Sequence, residues 1–215
     1  VEHFRWRDQI GIGFPGVIQG PHIRTAANMH PGFIGLDGEK LFSKATRCQV
    51  ALINDAAAAG LAEMEFGAGR GFKGKALLLT LGTGVGSVLF HRGVIFPCEL
   101  GHLPLPSDGK DAEKHVAASV RKKKNLSWSH WGRRLSEYLS ILETILWPEL
   151  IILGGGVSAR YDKYFKYLKV RTKIVPAEFF NGAGIVGAAL WGAQVGNERR
   201  PALDVSRAAS RARKS

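Results

Sequence analysis

Four places in the chain join reactive side chains or bare backbone at spacings that suit chemistry. At Asn54-Asp55 an apolar run ends and an Ala-rich helix begins. A carboxylate there can cap the helix, or it can accept the proton of a bound alcohol during attack on a phosphoryl group. In "LLLTLGTGVGSVLF", Gly82, Thr83, Gly84 and Gly86 follow a strand pattern. No Gly-Lys-Ser/Thr follows, so this is not a Walker A loop, and the next residues, "SVLF", read as a strand rather than the helix of a dinucleotide fingerprint. The stretch fits an ordinary hairpin and a phosphate cradle of backbone N–H groups equally well. In "CELGHLPL", Glu99 and His102 have the reach to hydrogen-bond sugar hydroxyls, and one Glu with one His is too few for a metal site. In "LIILGGGVS", a strand ends in Gly154, Gly155 and Gly156 with a helix expected after it, which suits a nucleotide or phosphate at the carboxyl ends of strands.

The elements that position these residues follow from the hydropathy pattern. "QIGIGFPGVIQG" reads as a buried strand broken by a Pro-Gly turn, and Val50 to Ile53 as a short strand before a helix that starts near Asn54 or Asp55, which Gly67 and Gly69 end. Trp131, Leu135, Leu139, Leu142 and Leu146 recur at steps of three and four, which predicts one long helix stopped by Pro148. "NGAGIVGAALWGAQ" predicts a helix of small residues suited to close packing. Alternating strands and helices place the chain in the α/β class.

The 215 residues, 45% of them hydrophobic, suffice for one large domain or two small ones. Two cysteines, Cys48 and Cys98, make neither a disulfide framework nor a zinc site, and a reduced, cytoplasmic setting is expected. There is no signal peptide pattern and no apolar run of about 18 residues to span a membrane. The net charge of +12 points to a polyanionic partner, whether nucleic acid, a phosphate-rich substrate or an inorganic polyanion. Nucleic acid is disfavoured, because no helix-turn-helix segment and no aromatic-interleaved strand motif is visible.

Taken in order, these segments resemble the ROK-type sugar kinases of the actin–hexokinase superfamily, and among them the polyphosphate glucokinase branch. The resemblance rests on "GFPGVIQG", "TAANMHPGFIGLD", "INDAAAAGLAEMEFGAG", "TLGTGVGSVLF", "ELGHLPL", "SWSHWGRRLSEYL", "LIILGGGVS" and "NGAGIVGAAL", from about Gly11 to Gly192. It implies an actin-like ATPase (ribonuclease H-like) fold of two α/β domains, the N-terminal one incomplete. Residues 1–72 are then the remainder of a small domain and 73–195 a large one, with the helix at 182–195 packing back on the small domain and 196–215 a disordered basic tail.

The activity implied is transfer of a phosphoryl group from polyphosphate, and also ATP, to the 6-hydroxyl of glucose, with Mg²⁺ bridging the donor oxygens. Asp55 becomes the catalytic base. Asn54, Glu99 and His102 bind glucose, with Asn28 and Glu113 as further ligands. Gly82, Thr83, Gly84 and Gly86 hold the transferring phosphates, and Gly154, Gly155 and Gly156 line the donor site. Arg121, Lys122, Lys123, Lys124, Arg133 and Arg134, with the basic residues from Lys163 to Lys173, are the candidate track for a long polyanion, the bland reading being a solvated helix face. No protein metal ligand and no membrane or nucleic-acid partner is implied, and a homodimer is.

Two departures from the family pattern carry expectations. The Asp-x-Gly-Gly-Thr/Ser turn of such kinases is not found in the sequence, so the chain is expected to start inside the small domain, as a fragment or from an internal start. Ala57 stands where the branch has a second Asp. A sugar-binding remnant without phosphoryl transfer is the competing expectation from the same fold.

Overall fold

The computed structural model describes residues 3, 5–26 and 29–199. Asn28 and residues 200–215, most of the expected tail, lie outside the described residues.

A small α/β lobe comes first. Strand β1 (Ile10–Phe14) pairs in parallel with β4 (Val50–Asn54), Ile10 opposite Val50 and Phe14 opposite Asn54. Between them lie a two-residue hairpin, β2 (Ile18–Gln19) and β3 (His22–Ile23), and helix α1 (Gly38–Thr46), capped by the Asp37 side chain on the Lys40 N–H. The lobe closes over Phe14, Ile23 and Leu52, with Phe33 and Phe42 stacked beside them.

Helix α2 (Asp55–Phe66) leads to a five-stranded sheet in the order β7-β6-β5-β8-β9. Here β5 (Lys75–Leu81), β6 (Val85–His91) and β7 (Val94–Cys98) form an antiparallel meander. Helices α3 (Glu113–Val116), α4 (Ala118–Lys123) and α5 (Trp128–Leu146) follow, and then β8 (Leu150–Gly154) and β9 (Lys173–Pro176) run parallel to β5. Strand β5 is apolar on both faces because helices cover both. Leu77, Leu79 and Leu81 face α5, whose Trp131, Leu135, Leu139 and Leu142 are fully buried and whose Leu146 packs at the margin. Leu78 and Ala76 face α2.

Helix α6 (Ala183–Arg199) joins the lobes. A Cβ on Gly187 would strike the Ala58 carbonyl of α2, and one on Gly11 of β1 would strike Ala188. The small residues of this helix therefore let backbone meet backbone, and the Trp191 indole N–H bonds the Leu52 carbonyl at 3.1 Å. The helix runs to Arg199, four residues past the boundary expected from the sequence. The long helix expected from the Trp131 to Leu146 stripe is α5, preceded by the two short helices α3 and α4, and the segment after Gly156 is not an α-helix but 3-10 turns, Ser158–Lys163 and Phe165–Tyr167. Among the described residues no helix is long and apolar enough to cross a membrane.

Candidate active site

Asn54 sits in extended conformation as the N-cap of α2. Its side-chain oxygen accepts from the Ala57 N–H at 3.0 Å, and its amide N–H donates to the Gly16 carbonyl at 3.1 Å. One side chain thus ties the helix start to the turn after β1. Asp55 opens the helix, its carboxylate accepting from the Ala56 N–H at 2.8 Å. It reaches solvent at the surface of the site, yet the surrounding protein removes enough water to push its carboxyl above the usual carboxylate range, against the pull of that hydrogen bond. The first turn of α2 lies directly on β6. A Cβ on Gly86 would come within 2.6 Å of both the Ala56 Cβ and the Thr80 hydroxyl oxygen, so glycine is what lets Asp55 sit beside the hairpin.

The hairpin turn is braced from outside. The Gly82 N–H donates to the Gly84 carbonyl at 3.0 Å. Ser119, at the start of α4, donates its N–H to the Gly82 carbonyl at 3.0 Å and its hydroxyl to the Thr83 carbonyl at 2.6 Å. Gly86 falls inside β6, so the turn proper is Gly82, Thr83 and Gly84, with Thr83 exposed at its tip. The end of β8 lies next to it, because Thr80 pairs with Gly154. Gly155 adopts φ +84° and approaches the Leu81 backbone so closely that a Cβ would lie 2.6 Å from its carbonyl oxygen. Both glycine turns therefore open at the carboxyl ends of adjacent parallel strands, where α/β sheets bind ligands.

Glu99 precedes and His102 ends a 3-10 turn, Leu100–His102, that is anchored below by buried polar groups. The Ser87 hydroxyl donates to the Cys98 carbonyl at 2.6 Å and accepts from the Leu100 N–H at 2.9 Å, and the Tyr138 hydroxyl donates to the Leu100 carbonyl at 2.9 Å. Burial holds the Tyr138 hydroxyl well above its ordinary pKa, so it remains a donor. The Glu99 carboxyl is also pushed up, first by burial, then by the charges of Asp55 and Glu113, with His102 pulling it back. Glu113 comes in from α3, its carboxylate oxygen 2.5 Å from where a Cβ on Gly84 would lie. The charges of Asp55, His102 and Glu113 thus all act on Glu99 near the glycine turn, although the four residues come from three separate segments.

Asp111 was not singled out from the sequence, yet its carboxylate lies 3.2 Å from His102 Nδ1 and 3.6 Å from Lys114 Nζ. Both partners hold it below the usual range, His102 most strongly. Ser119 and Ser87 also escaped notice. Each acts through a bond to backbone distant in sequence, and no local pattern marks such a bond.

The basic residues divide. The Arg121 guanidinium lies 3.9 Å over the Trp128 ring and bonds the Leu126 carbonyl at 3.2 Å, so it serves packing. Lys122, Lys123 and Lys124 are exposed. Arg133 and Arg134 line an open recess with Ser127, Ser129, His130 and Glu137 at the start of α5.

A sheet of this order beside a smaller lobe, with glycine turns at the strand ends and acids gathered near them, is the actin-like ATPase fold as sugar kinases use it. The chain belongs to the ROK family, whose model matches residues 1–117. It is 42% identical over 192 residues to the polyphosphate glucokinase of Mycobacterium tuberculosis (strain CDC 1551 / Oshkosh), covering 88% of this chain and 72% of that one. A 41% match to the polyphosphate glucokinase of Mycobacterium leprae covers 88% of this chain and 59% of that one. Among solved structures, an inorganic polyphosphate/ATP-glucomannokinase from Arthrobacter sp. strain KM superposes with a TM-score of 0.82 at 45% identity, over 86% of this chain and 73% of that one. A ROK family glucokinase from Streptomyces griseus, in complex with glucose and AMPPNP, shares the fold at a TM-score of 0.75 and 20% identity, over 87% and 82% of the two chains.

Proposed function

We propose that the protein transfers the terminal phosphoryl group of polyphosphate, and also that of ATP, to the 6-hydroxyl of glucose. The observation that carries this is the gathering of Asp55, Glu99, His102 and Glu113 around the Gly82–Gly84 turn, in a chain 42% identical to polyphosphate glucokinases. Asp55 takes the hydroxyl proton as the sugar oxygen attacks the terminal phosphorus, and the bond to the rest of the donor breaks, releasing a donor one phosphate shorter. Its raised pKa makes it a better proton acceptor than an ordinary carboxylate. Glu99, His102 and Glu113 hold the sugar hydroxyls, and Asn54, whose amide already spans two backbone groups, holds the base in place and offers its remaining N–H to the sugar. Thr83 and the N–H group of Gly84 carry the charge of the transferring group, Gly86 serving to let Asp55 close on the hairpin, and Gly154, Gly155 and Gly156 line the donor side. Lys122, Lys123, Lys124, Arg133 and Arg134 attract the part of a long donor that extends beyond the site.

Mg²⁺ is the expected companion of such a donor. Among the described residues the group of three or more metal-ligating side chains is His102, Asp111 and Glu113, at the sugar end, and an imidazole is a poor partner for an ion that prefers oxygen. These residues do not form a Mg²⁺ cage, and the ion would come with the donor phosphates, whose charge it would offset. A cytoplasmic homodimer, with residues 1–72 and 73–195 as its two domains, completes the reading.

The test is formation of glucose 6-phosphate by the full chain, with long-chain polyphosphate and with ATP as donors. Glucose binding without product from either donor overturns the transfer and leaves a sugar-binding protein.

A further inference from the structure

His102 and Asp111 stand at opposite ends of a loop that closes on itself. The Ala112 N–H donates to the Leu103 carbonyl at 2.9 Å and the Leu105 N–H to the Lys110 carbonyl at 2.9 Å, with Pro104 bridged to Asp111. The Gly109 N–H returns to the Leu105 carbonyl at 2.8 Å, and Asp108 meets both Lys110 and His115. Backbone pairing sets Asp111 opposite Pro104, two residues on from His102, so the two are diagonal neighbours on one face of the pair, and Asp111 Oδ2 lies 3.2 Å from His102 Nδ1. The Asp111 end of the loop also delivers Glu113 to Gly84.

We propose that Asp111 is a positioning residue, whose carboxylate keeps a proton on Nδ1 of His102 and leaves Nε2 as the ring nitrogen that meets the sugar. A histidine left to itself exchanges its proton between the two nitrogens and turns about its side-chain bonds. A carboxylate on one nitrogen restricts both freedoms, as the outer partners of metal-binding histidines do. Lys114, 3.6 Å from the same carboxylate oxygen, favours its ionised form. The three ligand atoms of His102, Asp111 and Glu113 also lie within 4.8 Å of one another, so a cation is the rival occupant. It would have to displace the Nδ1 proton that the proposed pairing places between His102 and Asp111.

The proposal rests on the sugar-binding reading of His102, and the experiment separates the two. Nitrogen-15 NMR of the ring in the full chain should show Nδ1 protonated. In Asp111→Ala the tautomer mixture should shift toward protonation on Nε2. The KM for glucose should rise about tenfold in Asp111→Ala and in Asp111→Asn, with kcat and the KM for donor changed less than twofold. Thermal melts confirm that both variants fold, and the Asn variant preserves shape if the Ala variant does not. An unprotonated Nδ1 in the wild-type ring overturns the proposal without any turnover. So does a glucose KM within twofold of wild type in both Asp111 variants while His102→Ala raises it. If His102→Ala leaves glucose KM unchanged, the sugar-binding reading fails and the proposal with it, whereas the NMR still reports the pairing itself. Displacement of the Nδ1 proton by micromolar Zn²⁺, lost in Asp111→Ala, would assign the cluster to a metal instead.

Discussion

Asp55, Glu99 and Glu113 reach their places through buried partners, whereas Lys122, Lys123 and Lys124, one short helix away from the same glycine turn, stand in solvent. The acidic group depends on contacts of a few tenths of an ångström: Gly86 against Ala56, Ser87 and Tyr138 under the turn at Leu100, Asn54 across to Gly16. The basic group depends on sign and number of charges. One region should therefore answer sharply to shape and hardly to salt, and the other the reverse.

The strongest way to test that contrast is Asp55→Asn. It keeps the shape and the hydrogen bond to Ala56, removes the proton acceptor, and should lower kcat by about 10²-fold or more with glucose affinity much less affected. Turnover and calorimetric glucose binding on the same sample decide it, and near-normal turnover removes Asp55 from the role of base. The same variant should melt slightly higher at neutral pH. Because the folded-state pKa of Asp55 is raised, folding favours the protonated form, and that stabilisation is lost as pH rises through the folded pKa. By the same sign, kcat of the wild type should fall on acidification at a pH above the ordinary aspartate value of 3.8.

Glu99→Ala and His102→Ala come next. Each leaves partners of a bound sugar unpaired and should weaken glucose binding by about 1–3 kcal/mol while donor KM holds. Unchanged calorimetric affinity in both would move the sugar elsewhere.

Gly86→Ala tests shape alone, since it adds one methyl group and no charge. The new Cβ, 2.6 Å from both Ala56 and Thr80, should cost about 1–3 kcal/mol of stability in denaturant titration and lower kcat by displacing Asp55. A variant with wild-type melting and turnover would show that the contact between α2 and the hairpin is loose.

The smallest effect per residue belongs to the lysines. Reversing Lys122, Lys123 and Lys124 together should raise KM for long-chain polyphosphate more than KM for ATP, each exposed contact contributing about 1 kcal/mol or less, and the gap should close at high salt. Equal shifts for both donors at all ionic strengths would reduce the run to a solvated helix face.

The sequence was informative where a residue's role is local. Asp55 is marked by the junction it occupies, the turn at Gly82 by bare backbone between two strand patterns, and the buried stripe of α5 by its spacing. It was silent where a role depends on what lies across a gap. The distance between His102 and Asp111 is set by a loop that closes through backbone bonds, and the brace from Ser119 to Thr83 crosses from one helix to a hairpin. Arg121 looks like its lysine neighbours in the sequence, and only the position of Trp128 removes it from their company. The expected helix after Gly156 failed for a similar reason. The chain leaves β8 through the left-handed conformation of Gly155, and the aromatic cluster of Tyr161, Tyr164 and Phe165 shapes it into 3-10 turns.

The seating of α6 on β1 has a consequence in time. Nearly the whole described chain separates Gly11 from Ala188, yet each occupies the space the other's lobe leaves open. During synthesis the ribosome delivers β1, β4 and α2 long before the helix that covers them. Until α6 emerges, the apolar faces of Leu52 and Ala58 have no cover from it, and the first turn of α2 lacks its backing. The small lobe is thus committed to late, long-range closure, the kind of pairing that slows folding and exposes a nascent chain to chaperones. The lobe that ends in Asp55 is made early and finished last.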